Sequence, residues 1–427
     1  MDRRGIELQW DRHGDGEPTI DQITKALRGL TLRRIGAVGI VALAACSSPQ
    51  TPGDGDSSQA TLASELPLGH PDSVLFWTPE QQRAGFPNYD LLFGTRSVPA
   101  STNPRPMPRS AGDELAVTVS VDGGAFDVDD FVRANEMAGL IVVHRDTVLL
   151  ERYSMDHGPD DVWVSYSVAK SVVSLLYGAA IADGYIASID DNAADYLPLL
   201  RGSTYDGVRL RDLLQMASGV EWNEDYTDPT ADVSQEIGLS NLARIDFIKD
   251  KPRAAPPGTE FNYSTGETHL AGAVLRGAIG NNLASYLHQK VWEPFGMESD
   301  ANWRLVEDSG PEHGGCCVSA TLRDYARIGL FALHEGRGSD GMSRLPDGWM
   351  AESTTPSAPN DGYGYLWWLS PDGSYSAYGI FGQLIHIDPS RELVIATHGL
   401  WPVPVDSERS RRRAAFLEGV KAAVDAR

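Results

Sequence analysis

Apolar positions along the chain change their spacing twice, and the two changes divide it into strand-rich ends and a helical middle. The runs Gly139-Leu140-Ile141-Val142-Val143 and Thr147-Val148-Leu149-Leu150 are nearly continuous, and polar His144-Arg145-Asp146 separates them. Short apolar runs around a polar turn predict a β-hairpin, with a helix over about 126–136 leading into it. From Ser167 to about Leu333 most segments carry the 3.6-residue period of helices, broken by Gly- and Pro-containing loops near 201–207, 219–232 and 252–260. Strand patterns return at 363–368, 375–379, 383–387 and 393–397, with turns at Pro371-Asp372-Gly373 and Asp388-Pro389-Ser390. A terminal helix carrying Leu417, Val420 and Val424 follows. Strands at both ends with helices between them predict an α+β fold, in which one antiparallel sheet is assembled from the two ends of the chain and the mainly helical part spans about 184–335.

Upstream of this unit the pattern differs. Residues 66–124 hold scattered aromatics and prolines with little periodicity, which predicts an extended N-terminal arm packed on a main domain at 125–427. Before the arm, Arg33 and Arg34 precede an apolar stretch at 35–45 that ends in Leu43-Ala44-Ala45-Cys46, the layout of a secretory signal. The stretch is shorter than the roughly 20 residues that span a bilayer. Small residues before Cys46 resemble a bacterial lipobox, so residues 1–46 are expected to export the chain and Cys46 to carry lipid; an ordinary signal peptide with an incidental cysteine is the alternative. The Ser-, Pro-, Gly- and Asp-rich segment 47–65 then reads as a flexible tether.

Composition narrows the function classes. The 427 residues carry a formal charge of −23, which repels nucleic acid and anionic membrane surfaces; the membrane is expected to be met only through a lipid anchor. The basic run Arg411-Arg412-Arg413 reads as a solvated helix face. Besides Cys46 the cysteines are the adjacent Cys316 and Cys317, expected as two buried thiols in preference to a vicinal disulfide. His269, His313, His386 and His398 lack metal-ligand spacing, so no metal and no cofactor is expected.

Candidate chemistry centres on Ser167-Val168-Ala169-Lys170. Among Lys25, Lys170, Lys249, Lys251, Lys290 and Lys421, only Lys170 has a serine three positions before it. One helical turn puts both side chains on one face, and a helix start at Ser167 favours negative charge developing beside it. For Lys170 to act as a base it must be neutral, which requires burial or neighbouring positive charge. Taken alone, the pattern also fits an amphipathic helix with a surface lysine. A second element is Pro256-Pro257-Gly258-Thr259 before Phe261-Asn262-Tyr263-Ser264-Thr265-Gly266-Glu267, where Ser264 and Glu267 form a predicted capping box. Tyr263 then stands just ahead of a helix, where its phenol could hand a proton to a leaving group or its ring could pack on the helix as a staple, for which Thr268 is a poor partner.

Together with 210–220, 363–368 and Gly379-Ile380-Phe381-Gly382-Gln383, these runs resemble the serine β-lactamase-related family: class C β-lactamases, D,D-peptidases, esterases and, most of all, 6-aminohexanoate-dimer (nylon oligomer) hydrolases. The resemblance covers about 125–400. It implies a sheet flanked by helices, an acyl-enzyme on Ser167, and an oxyanion hole from the backbone amides of Ser167 and Ile380. Two departures bear on substrate: Thr265 stands where lactamases and peptidases of the family have Asn, and Tyr378-Gly379-Ile380 stands where they have Lys-Thr-Gly. Both resemble the amidase and esterase branch, in which a loop tyrosine closes over the substrate amide; Tyr226 looks like its match, although a tyrosine packed on the domain surface fits as well. Trp367 and Trp368 alternate across a predicted strand, one toward the pocket and one toward the core, and both are kept as substrate-binding candidates.

The expected function is therefore an exported hydrolase of small linear amides or esters, with Ser167, Lys170 and Tyr263 catalytic. A β-lactamase or D,D-carboxypeptidase is the enzymatic alternative, and a non-catalytic penicillin-recognising module the alternative from another class. A small-molecule substrate is expected as partner, with no nucleic acid and the membrane met only through the lipid anchor; the sequence leaves the oligomeric state open.

Overall fold

A two-residue turn anchors the main sheet. Arg145 and Asp146 both take left-handed backbone (φ 50° and 59°), the conformation whose twist matches antiparallel strands, and His144 pairs with Thr147 across it. The computed structural model describes residues 66–121 and 123–427. The proposed signal region, Cys46 and the tether at 47–65 lie outside the described residues.

The turn joins β1 (Met137–His144) to β2 (Thr147–Tyr153). From the other end of the chain come β3 (Trp368–Leu369), β4 (Tyr375–Gly379), β5 (Gln383–Asp388) and β6 (Leu393–Gly399). The antiparallel sheet runs β2-β1-β6-β5-β4-β3, so β6 pairs with β1 and joins the two ends as expected. The near-continuous apolar runs have a physical cause: both faces of the sheet are covered. On β1, Ala138, Ile141 and Val143 enter the larger core, whereas Met137, Leu140 and Val142 enter a second core on the opposite face.

Helices cover each face. On one side lie α1 (Val168–Ala182), α2 (Thr265–Ile279) and α3 (Leu322–Leu333); α1 is apolar nearly all round, in keeping with its central burial. On the other side is α4 (Ser407–Asp425), whose Phe416 stacks on Phe131 with ring centres 4.3 Å apart. The helix before the hairpin spans Val128–Ala134, within the expected 126–136.

Three sequence expectations are corrected. The middle is not wholly helical: Ala301–Arg304 and Val318–Thr321 are short strands, and with Thr95–Val98 and Val162–Val164 they make a second sheet of four. Strands of three or four residues are too short to show a period. Most of 363–368 is loop, because the amides of Tyr365 and Leu366 donate to Ser353 and Leu214 carbonyls outside the sheet, and only Trp368 and Leu369 pair with β4. The arm is more than an extended strap: it forms a helix at Pro79–Gly85 with a Thr78 capping box, buries Trp77, Phe86 and Tyr89, and supplies a strand.

Candidate active site

Strand Val162–Val164 delivers the chain to Ser167 through Tyr166, whose backbone is left-handed (φ 45°). A bulky residue there carries strain of about 1–3 kcal/mol. The Tyr166 ring is held among Phe86, Tyr89 and Phe381, with ring centres 5.1–6.2 Å away, and this packing fixes the turn that places Ser167 at the start of α1.

One turn later, Lys170 is buried and its Nζ lies 2.9 Å from Ser167 Oγ, 3.0 Å from Thr265 Oγ1 and 2.8 Å from the Gly315 carbonyl oxygen. A neutral amine has two N–H donors and one lone pair. The Gly315 carbonyl can only accept, and Thr265 gives its own hydroxyl hydrogen to Glu224, so these two take the donors. The lone pair is left for the Ser167 hydroxyl. Burial lowers the Lys170 ammonium to about 8, against the opposing pull of Glu224 and Glu236, so a far larger share of it is neutral at physiological pH than of an ordinary lysine.

Helix α2 brings the second half of the site. Ser264 Oγ caps it by accepting from the Glu267 amide at 2.9 Å, as expected, but the reciprocal half of the box is absent. Glu267 is buried and turns to Ser218, accepting from its hydroxyl at 2.5 Å; burial raises its carboxyl to about 8. Tyr263, just ahead of the cap, lines the same pocket as Ser167, and its ring centre lies 5.2 Å from Lys170 Nζ. Burial, with the Glu224 carboxylate nearby, pushes its phenol above the ordinary value, so it holds its proton.

Sequence reasoning missed Glu224, although it lies two residues before Tyr226 in the same run. Glu224 accepts from the Thr265 amide at 2.9 Å, the Thr265 hydroxyl, the Tyr226 hydroxyl at 2.7 Å and the Trp222 indole N–H. Burial pushes its carboxyl up, while Lys170 and these donors pull it down. Every partner donates, an arrangement that only the carboxylate satisfies in full. Thr265 and Glu224 together thus occupy the place beside Lys170 for which the resemblance implied a single Asn.

A pocket of about 450 Å³ opens over Ser167, lined also by Tyr263, Trp368, Tyr378, Ile380 and Arg413. Gly379 ends β4 here because a Cβ at that position would sit 2.4 Å from the Ser165 carbonyl oxygen; its absence lets the strand close on the nucleophile turn and sets Ile380 at the pocket wall. Trp368 stacks on Tyr263 at 5.5 Å. Trp367 does not line this pocket: it is fully buried against Tyr375, since alternation along the chain turns it to the core. Tyr226 borders the pocket with its hydroxyl given to Glu224. The basic run is also only partly a solvated face, because Arg413 turns inward over the Tyr378 and Trp401 rings at 4.4 and 4.8 Å. Cys316 and Cys317 are joined as a vicinal disulfide where separate thiols were expected. Among the described residues no group of three His, Cys, Asp or Glu side chains is placed to hold a metal ion.

A family model described as Beta-lactamase matches residues 128–419. A 6-aminohexanoate-dimer hydrolase of Paenarthrobacter ureafaciens is 28% identical over 311 residues, 67% of this chain and 78% of that protein. Among solved structures, a Bacillus anthracis protein provisionally described as a 6-aminohexanoate-dimer hydrolase superposes with a TM-score of 0.71 at 20% identity, over 80% of this chain and 94% of that one. A family VIII carboxylesterase superposes with a TM-score of 0.54 at 16% identity, over 68% and 96%.

Proposed function

The chain belongs to the β-lactamase family, and on that premise we propose that this serine hydrolase cleaves small linear amides or esters through an acyl-enzyme on Ser167. The observation that carries the reading is the Lys170 amine, brought down to about 8 by burial and, when neutral, left with its lone pair for the Ser167 hydroxyl 2.9 Å away. Ser167 passes its proton to Lys170 as Oγ bonds to the substrate carbonyl carbon. The backbone N–H groups of Ser167 and Ile380 stabilise the oxyanion. As the tetrahedral intermediate collapses, the bond to the leaving nitrogen or oxygen breaks and Tyr263 protonates the departing atom. Tyr263 recovers its proton from Lys170 through the Ser167 side. Water then adds to the acyl carbon, losing its proton to the same relay, and Ser167 leaves with a proton restored. Glu224 and Thr265 hold Lys170 in place throughout.

Relatives that include a 6-aminohexanoate-dimer hydrolase and a carboxylesterase support the amide and ester assignment. Labelling with a fluorophosphonate probe tests the nucleophile: the native chain is expected to label and Ser167→Ala is not, and equal labelling of both sinks the assignment. Turnover of p-nitrophenyl esters and 6-aminohexanoate dimer is expected to exceed that of nitrocefin. One observation favours the second reading, a β-lactamase or D,D-carboxypeptidase: Arg413 supplies the pocket with a cation that the strand motif lacks. Fast nitrocefin turnover would select it. Export and lipidation at Cys46 complete the proposal, and Cys46→Ser is expected to release the protein from the membrane fraction.

A further inference from the structure

A second recess opens behind Ser167, on the side away from Tyr263. It holds about 50 Å³ and shares Ser167, Tyr226 and Ile380 with the outer pocket, while Leu75 and Tyr89 of the N-terminal arm help to close it. Its charge is unbalanced. Arg244 and Arg304 both line it and are 1% and 6% exposed. Arg244 Nη1 stands 3.4 Å from Glu236 Oε2 without hydrogen-bond geometry, and its Nε and Nη2 have no hydrogen-bond partner among the described residues. Arg304 lies 4.0 Å over the Phe93 ring and lines the recess beside Tyr89; among the described residues its Nε is unpartnered and it forms no ion pair.

Among the described residues Glu236 is the one carboxylate lining the recess. His313, 3.4 Å from Glu236, adds no charge: burial, with Arg244, Arg304 and Lys170 around it, holds the imidazole well below its ordinary value. Two guanidiniums thus face one carboxylate. A buried, unpaired cation is costly, and a planar guanidinium with free N–H groups matches a carboxylate.

We propose that this recess binds a carboxylate at the far end of the acyl group, so that the substrates are monoesters or monoamides of short dicarboxylic acids. The inference rests on the acyl-transfer reading of Ser167 and specifies its substrate class. Orientation follows from the proton donor: Tyr263 lines the outer pocket and not the recess, so the leaving group occupies the outer pocket and the acyl chain points inward. The recess has room for a carboxylate on a short chain. The reaction consumes one water, breaks the acyl bond to oxygen or nitrogen, and releases the free dicarboxylate with the alcohol or amine.

The test compares kcat/KM for p-nitrophenyl hemiglutarate, p-nitrophenyl pentanoate and the p-nitrophenyl ester of 6-aminohexanoate. The native enzyme is expected to prefer the hemiglutarate at least about tenfold over either. In Arg244→Gln and Arg304→Gln the ratio of hemiglutarate to pentanoate, taken within each variant so that a general loss cancels, is expected to fall toward one. Should a variant fail to fold, native enzyme decides: glutarate must inhibit competitively at lower concentration than glutaramide. Equal or faster turnover of the pentanoate overturns the inference, and preference for the amine-tailed ester overturns it in favour of recognition by Glu236. Absence of Ser167-dependent turnover of any ester would instead refute acyl transfer itself.

Discussion

The acid limb of the pH–rate profile is the most direct consequence of how Lys170 is held. Burial takes its ammonium from the ordinary 10.5 to about 8, and the difference, 10.5 − 8 = 2.5, corresponds to about 3 kcal/mol against the charged form. At pH 7 about 10% of the enzyme then carries the neutral base, against about 0.03% for an ordinary lysine, a gain of about 300-fold. On a neutral ester, kcat/KM is expected to rise about tenfold per pH unit from pH 5.5 and to level off near pH 8. Glu224→Gln removes the first of the two anions that hold the ammonium up. Its limb is therefore expected to move to lower pH, while its plateau falls because Tyr226, Trp222 and Thr265 lose a charged acceptor. The assay is kcat/KM from pH 5 to 10 for both proteins, each normalised to its own plateau. A native limb centred near 10, or a variant limb that stays put or moves up, would refute this account of the base.

Two further outcomes concern Tyr263 and Glu267. Tyr263→Phe is expected to cost about 10²–10⁴ in kcat on amides, whose leaving nitrogen must be protonated, and much less on p-nitrophenyl esters, whose leaving phenolate needs no proton; equal losses on both would remove Tyr263 from that role. Glu267 has its carboxyl raised from 4.5 to about 8, so the folded state binds the extra proton, and the stabilisation present below pH 4.5 is lost as pH rises through 8. Glu267→Gln is expected to match the native protein at pH 4.5 and to exceed its stability above pH 8 by on the order of 3–5 kcal/mol, read by urea denaturation; parallel pH dependences in the two proteins would show that the buried carboxyl does not titrate with folding.

What the sequence made legible followed chain proximity. Ser167 and Lys170 are one turn apart, and Tyr263 stands one residue before a cap, so local geometry sufficed to pair them with a chemistry. The hairpin was legible for the same reason, since its turn and its register are set by two residues. Glu224 was not: Trp222 and Tyr226 stand two residues to either side of it, but its tie to the Lys170 site runs through Thr265, and only the fold closes the loop at 222–226 onto the start of α2. Arg413 was hidden by its neighbours, as Arg411 is exposed and Arg412 pairs with Glu408 on the outer face of the same helix. Arg244, Arg304 and Glu236 come from three separate segments and look like ordinary surface charges in a chain of net −23. The absence of a Lys-Thr-Gly lysine on the strand therefore says little about the cations a substrate meets. A motif reports only the cation that the strand would supply, whereas this fold brings one arginine into the outer pocket from α4 and two into the inner recess from elsewhere. The sign of charge offered to a substrate is set by the closed pocket, and here it is the reverse of what the composition suggests.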